Sequence, residues 1–167
     1  MSDSATETRI KNEYSLLTKR EVDNKHFEVE PFIDGDIYHW KAVLFGPVNG
    51  PYAGGRFNLD IRFPPNYPSR MPHVLFKTPI FHPNVEPQGG FIKKGGIASC
   101  DRSRNWSPDK TIAFALMEIH KLLADADPGD SYFQEATDLY MTDCVGFDEK
   151  AEEWTRKYAM DHTEDEA

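Results

Sequence analysis

RFNLDIRF, residues 56–63, decides the fold. Phe57, Leu59, Ile61 and Phe63 occupy every second position. Successive side chains of a strand point to opposite faces, so these four share one apolar face. The same reading extends outward on both sides. IYHWKAVLF at 37–45 forms a strand before it, joined through the long turn GPVNGPYAGG. HVLFKT at 73–78 forms a short strand after PPNYPSRMP. FEVEPFI at 27–33 forms the first strand, with Pro31 marking it as irregular or at an edge. DGD at 34–36 reads as a tight turn between strands one and two. Four consecutive strands joined by turns predict an antiparallel meander.

Helices flank the strands. Ser4 and Glu7 have capping-box spacing, and Ile10, Tyr14 and Leu17 recur at helical intervals. A helix is therefore predicted from Ser4 to near Arg20. Beyond the sheet, pattern lapses and returns at Trp106. Ser107 suits an N-cap and Pro108 a first helical position, ahead of the stripe Ile112, Leu116, Ile119 and Leu123. ADADPGD ends that helix. A short helix is predicted from Ser131 to Met141, with Phe133, Ala136 and Tyr140 inward. A last helix is predicted at 147–160, carrying Phe147, Ala151, Trp154 and Tyr158 inward. The class is α+β: an N-terminal helix, a four-stranded antiparallel sheet, then C-terminal helices. Residues 1–160 are expected to form one domain and 161–167, DHTEDEA, an acidic disordered tail.

Composition narrows the function classes. The formal net charge of −9 over 167 residues argues against binding a phosphate backbone, so no nucleic-acid partner is expected. No run of 18 apolar residues occurs, so no membrane span is expected, and the opening MSDSATETRI has no apolar run of the secretory kind. Two cysteines, Cys100 and Cys144, make no disulfide framework and suggest a reducing compartment. With scattered histidines they make no zinc signature, so no metal is expected. Cys144, far from the other motifs, reads as structural.

The stretch HPNVEPQGGFIKKGGIASC, residues 82–100, has neither strand nor helix period and ends in Cys100. GGFIKKGG lacks the strand–turn–helix setting and final Lys-Ser/Thr of a phosphate loop. The Lys93–Lys94 pair reads as a solvated loop tip, or as an acceptor or partner contact.

These residues, taken in order, resemble the ubiquitin-conjugating enzymes, the E2 family. YHWKAVLFGP, PYAGGRFNLDIRFPPNYP and PHVLFKTPIFHPN are similar to that family's sheet and signature turn. NWSPDKTI is similar to its loop and helix start, and EEWTRKYAM to its last helix. The resemblance spans roughly residues 9–160. It implies the UBC fold and an activity: accepting ubiquitin or a ubiquitin-like protein from an E1 activating enzyme as a thioester, then passing it to a substrate lysine. An E3 ligase can assist. The chain itself would bind no cofactor, since ATP is used by the upstream enzyme. A monomer in the cytoplasm, the nucleus or both is expected.

The resemblance also implies residue roles. Asn84 would support the oxyanion, and His82 and Pro83 would shape its turn. Asn84 has a purely structural alternative, holding the turn through backbone hydrogen bonds. The family nucleophile lies eight residues after the asparagine, which here is Ile92; counting back from Trp106 instead reaches Ala98. Cys100, sixteen residues after Asn84 and six before Trp106, is the cysteine of this region and the nucleophile expected. Glu86 to Gly95 would then be inserted, and loop growth is cheap, about 0.6 kcal/mol per doubling. The alternative for Cys100 is an ordinary thiol. Arg102 and Arg104 would lower its pKa and Asp101 would raise it. Asp130 would orient or desolvate the lysine, or else cap a helix starting at Ser131. Arg9, Pro64, Pro68, Trp106, Ser107 and Pro108 match partner-binding positions, with Trp106 equally able to plug the core. Ser69 stands where some ligase-binding members carry a bulky apolar anchor. A UBC-like variant that binds modifier or a conjugating enzyme without catalysis is the alternative function.

Overall fold

The computed structural model describes residues 4–18, 26–30, 35–87, 106–129 and 131–160. Helix α1 spans Ser4–Thr18; strands β1 to β4 span Phe27–Glu30, His39–Phe45, Arg56–Arg62 and His73–Phe76. Helix α2 spans Ile112–Ala124, α3 Gln134–Thr142 and α4 Cys144–Trp154, which continues as a π-helical turn, Thr155–Ala159. The sheet is an antiparallel meander in chain order. It is the α+β arrangement of helix, sheet and helices expected, with the UBC order of elements.

Register follows from the alternation. Leu44 lies opposite Phe57, Ala42 opposite Leu59 and Trp40 opposite Ile61, while Ile61 pairs Val74 on the far side. These side chains share the inner face and are fully or nearly buried. Ile10 and Leu17 of α1 join the same core, as do Ile112, Leu116, Ile119 and Leu123 of α2. Burying each such side chain stabilises by about 1.5–3 kcal/mol, which fixes both helices to the sheet. Trp40 meets Tyr14 and Phe63 edge-on, with ring centroids 5.2 and 4.8 Å apart. The outer face keeps charge: Asp60 is buried there beneath His39 and Arg62.

Several element ends differ from the sequence reading. Strand β2 starts at His39 because Asp36 holds a turn, its carboxylate accepting from Tyr38 N at 2.9 Å and its carbonyl from His39 N at 3.0 Å. The first strand ends at Glu30, and residues 31–34 fall outside the described set. So do residues 161–167 and the burial of Ser4. Helix α2 begins at Ile112, not at Pro108. Thr111 is its cap, accepting from Phe114 N at 3.2 Å. Ser107 instead opens a turn that Lys110 N closes on its carbonyl at 2.9 Å. Ser-Pro-Asp-Lys suits a type I turn as well as a helix start, and local chemistry does not separate the two.

The last helix also corrects a reading. Buried positions run Phe147, Ala151, Thr155, Ala159, and Tyr158 is 40% exposed rather than inward. The wide π-turn adds about one residue to the repeat, which carries the buried stripe from position 158 to 159. Cys144 is exposed at the start of α4, so it does not serve as a packed structural thiol. At Gly46, after β2, an added Cβ would lie 1.8 Å from Tyr52 O, so the close approach there admits no side chain.

Candidate active site and partner face

His82, Pro83 and Asn84 form a turn in which all three residues are buried. Each bonds a different later segment. His82 Nε2 donates to Leu122 O near the end of α2 at 2.8 Å, and its Nδ1 accepts from Asn84 N at 3.0 Å. A carbonyl can only accept and a backbone amide only donate, so this pair of partners fixes one neutral tautomer. Burial lowers the pKa of His82 to about 4, with the Leu122 bond opposing it. Pro83 O accepts from Tyr132 N at 2.8 Å and Phe133 N at 3.2 Å, just ahead of α3. Asn84 Nδ2 donates to Asp127 O at 2.8 Å, and its Oδ1 accepts from Asp127 N at 2.9 Å. The carboxamide therefore pairs with one backbone unit much as a second strand would.

The turn thus pins Asp127 on one side of position 130 and Tyr132 on the other. Asp127 braces its own loop, accepting from Gly129 N at 3.1 Å. These bonds tie the turn to the end of α2, to the loop after it and to the residues ahead of α3. Asp130 and Cys100 lie outside the described residues, as do Lys93, Lys94, Asp101, Arg102 and Arg104. The capping alternative for Asp130 needed a helix starting at Ser131; α3 starts at Gln134, with Phe133 in the cap position.

The second set of expected residues also converges. Trp106 is half-buried; its ring packs on Tyr67 with centroids 5.9 Å apart, and its Nε1 donates to Pro68 O at 2.8 Å. Tyr67 N donates to Pro64 O at 3.0 Å. Arg9 lies with its guanidinium 5.6 Å from the Tyr67 ring centre and also donates to Lys110 O. Ser107 donates to Asp109, and Pro108 is exposed. Arg9, Pro64, Pro68, Trp106, Ser107 and Pro108 therefore belong to one connected surface made by α1 and two loops. Trp106 is partly buried and packs against the core and on Tyr67.

Glu13 is the residue the sequence reading missed. It is only 6% exposed. Its Oε2 accepts from Arg9 Nε at 2.7 Å and Tyr67 OH at 2.6 Å, and its Oε1 from Ile112 N at 2.8 Å. One carboxylate thus joins α1, the loop at Tyr67 and the first amide of α2. Burial, and then Glu13 itself, raises the Tyr67 phenol well above its ordinary pKa, so it stays a donor. The signal was available: Glu13 sits three after Ile10 and four before Leu17, on the inward stripe of α1.

Among the described residues, no group of three or more His, Cys, Asp or Glu is placed to hold a metal, and no helix is long and apolar enough to cross a membrane. A family model described as ubiquitin-conjugating enzyme matches residues 9–155. A Plasmodium yoelii protein provisionally assigned as a ubiquitin conjugating enzyme superposes with a TM-score of 0.82 at 31% identity, covering 96% of this chain and 99% of its own. The E2 domain of a Toxoplasma gondii ubiquitin conjugating enzyme superposes with a TM-score of 0.77 at 32% identity, covering 91% of this chain and 97% of its own.

Proposed function

This chain belongs to the ubiquitin-conjugating enzyme family, and we propose that it transfers ubiquitin or a ubiquitin-like protein through a thioester on Cys100. The Cys100 thiolate attacks the carbonyl carbon of the thioester carried by the activating enzyme, whose own thiolate leaves. A deprotonated substrate lysine then attacks the new thioester, an isopeptide bond forms, and the Cys100 thiolate leaves. Cysteine suits both steps, being a strong nucleophile and a fair leaving group with a free pKa of about 8.5. Asn84 donates to the carbonyl oxygen as negative charge builds there, a contribution worth roughly 3–4 kcal/mol. Asp130 orients or desolvates the lysine. The surface of Arg9, Pro64, Pro68, Trp106, Ser107 and Pro108 receives the activating enzyme or a ligase, with exposed Ser69 favouring ligases that need no bulky anchor there. The reaction takes place in the cytoplasm, the nucleus or both.

One observation carries this reading. The His82–Pro83–Asn84 turn pins the backbone on both sides of position 130, which supports a fixed station for a lysine-facing group there. Among the two cysteines, Cys144 opens α4, whereas Cys100 sits between buried Val85 and packed Trp106 in the chain.

A second reading rests on a different observation. The Asn84 carboxamide has both ends on the Asp127 backbone, and Cys100 stands sixteen residues after it. A non-catalytic member that binds modifier or a conjugating enzyme would need only the turn. One experiment separates the two. The chain is incubated with activating enzyme, ATP and modifier, and the products are run with and without thiol reductant. Catalysis predicts a reducible adduct that is absent from Cys100→Ala, retained in Cys144→Ala and reductant-resistant in Cys100→Ser. Modifier bound without any adduct, and equally by Cys100→Ala, overturns it in favour of the binding module.

A further inference from the structure

A cavity of about 370 Å³ opens between three elements. Its walls are the turn that follows β2, the C-terminal half of α2, and the residue that precedes β1. Phe45, Pro47, Pro51 and Leu123 make it apolar. Its polar groups are dominated by two imidazoles. His26 and His120 stack with ring centroids 4.2 Å apart and planes inclined by 31°. The position of His26 is fixed through its carbonyl, which accepts from Phe45 N at 2.9 Å.

Two charged groups lie close by without lining the cavity: Asp125, which caps the end of α2 after Ala124, and Arg56, whose guanidinium is 5.2 Å from the Phe45 ring centre. The turn from Gly46 to Pro51 contributes no titratable group, and neither does Phe45 of β2. On α2, the flanking Lys121 and Glu118 are paired with each other at 3.3 Å, and neither lines the cavity. Glu28 of β1 is exposed and does not line the cavity. Among the described residues the wall therefore has two groups that can become cations and none that can become an anion. In a chain of net charge −9, the described lining presents an anion with no carboxylate.

We propose that this cavity binds a small aromatic carboxylate, its ring lying against Phe45, Pro47 and Pro51 and its acid group facing the stacked histidines. Flat apolar walls favour a flat apolar body, and the imidazole N–H groups supply the directional contact that fixes its orientation. In the free protein, burial and the neighbouring His26 lower the pKa of His120, which favours its neutral form. A bound carboxylate favours the protonated imidazole. Binding therefore takes up a proton and tightens as pH falls toward the histidine range. This inference is independent of Cys100.

The test uses the full chain with naphthoate as probe and naphthamide as its neutral counterpart, followed by imidazole proton resonances and by titration. Naphthoate is expected to shift the His26 and His120 signals and to bind roughly tenfold tighter at about pH 6 than at about pH 8, while naphthamide shows no such dependence. His120→Phe keeps a flat ring in the stack and is expected to reduce the pH dependence; His26→Phe makes the same test from the other ring should the first variant not fold. Unmoved histidine signals overturn the proposal, as does an equal pH response of acid and amide.

Discussion

Two buried ionisable side chains, His82 and Glu13, meet the same difficulty in opposite ways. Taking a charge out of water is expensive unless the charge is paired or given up. His82 gives it up: neutral, it donates to one backbone group and accepts from another. Glu13 surrounds its carboxyl with Arg9, Tyr67 and the first amide of α2. The first arrangement is sensitive to protons, and the second to the removal of any partner. Each underlies a different working surface, His82 the turn that carries Asn84 and Glu13 the face that carries Arg9 and Trp106.

The sharpest way to break this contrast is Glu13→Ala. It leaves the buried Tyr67 hydroxyl and Ile112 amide without their acceptor and opens a void beside them. Each orphaned group costs about 1–3 kcal/mol, so a loss of about 3–5 kcal/mol is expected in denaturant unfolding. A loss below about 1 kcal/mol would mean that water reaches the site and the network is not what holds the two helices together.

The next effect tests His82. Between about pH 6.5 and 4 the unfolded chain binds a proton that the folded chain refuses. The unfolded state binds more protons in that window, so stability rises with pH through it and is lost as pH falls. The full effect is roughly 3 kcal/mol. His82→Leu removes it: the gap in unfolding free energy between the native chain and this variant should narrow by about that amount on acidification across the window. A constant gap would show the ring to be hydrated or already protonated.

The smallest effect distinguishes the two caps of α2. Thr111 holds Phe114 N while Glu13 holds Ile112 N. Thr111→Ala should cost about 1 kcal/mol in the same measurement. Combined with Glu13→Ala it should fall short of the sum, since both changes loosen the same helical turn.

Much of the fold was legible because alternation and helical stripes are local. The run Phe57, Leu59, Ile61, Phe63 placed β3, and Ile10 with Leu17 placed the buried side of α1. The misreadings arose where distant residues decide. Nothing near Ser107 reveals that the true start of α2 is held by a carboxylate from the first helix. Nothing in the spacing of Ala151, Trp154 and Tyr158 reveals a π-turn, which Thr155 supports by donating from its hydroxyl to Ala151 O at 2.8 Å. At the candidate site, His82, Pro83 and Asn84 could be picked out as a motif. Their partners Leu122, Asp127 and Tyr132 could not, because those bonds reach backbone groups some forty to fifty positions away, which carry no side-chain signal.

The bond from Glu13 to Ile112 spans 99 positions, and the intervening chain contains the entire sheet. A contact of that kind gains its energy only after the strands between its ends have docked. Interactions made so late govern how fast a native state comes apart and leave its rate of assembly almost untouched. The carboxylate on the first helix therefore acts as a brake on unfolding, and the lifetime of the folded chain depends on it more than the speed of reaching that fold.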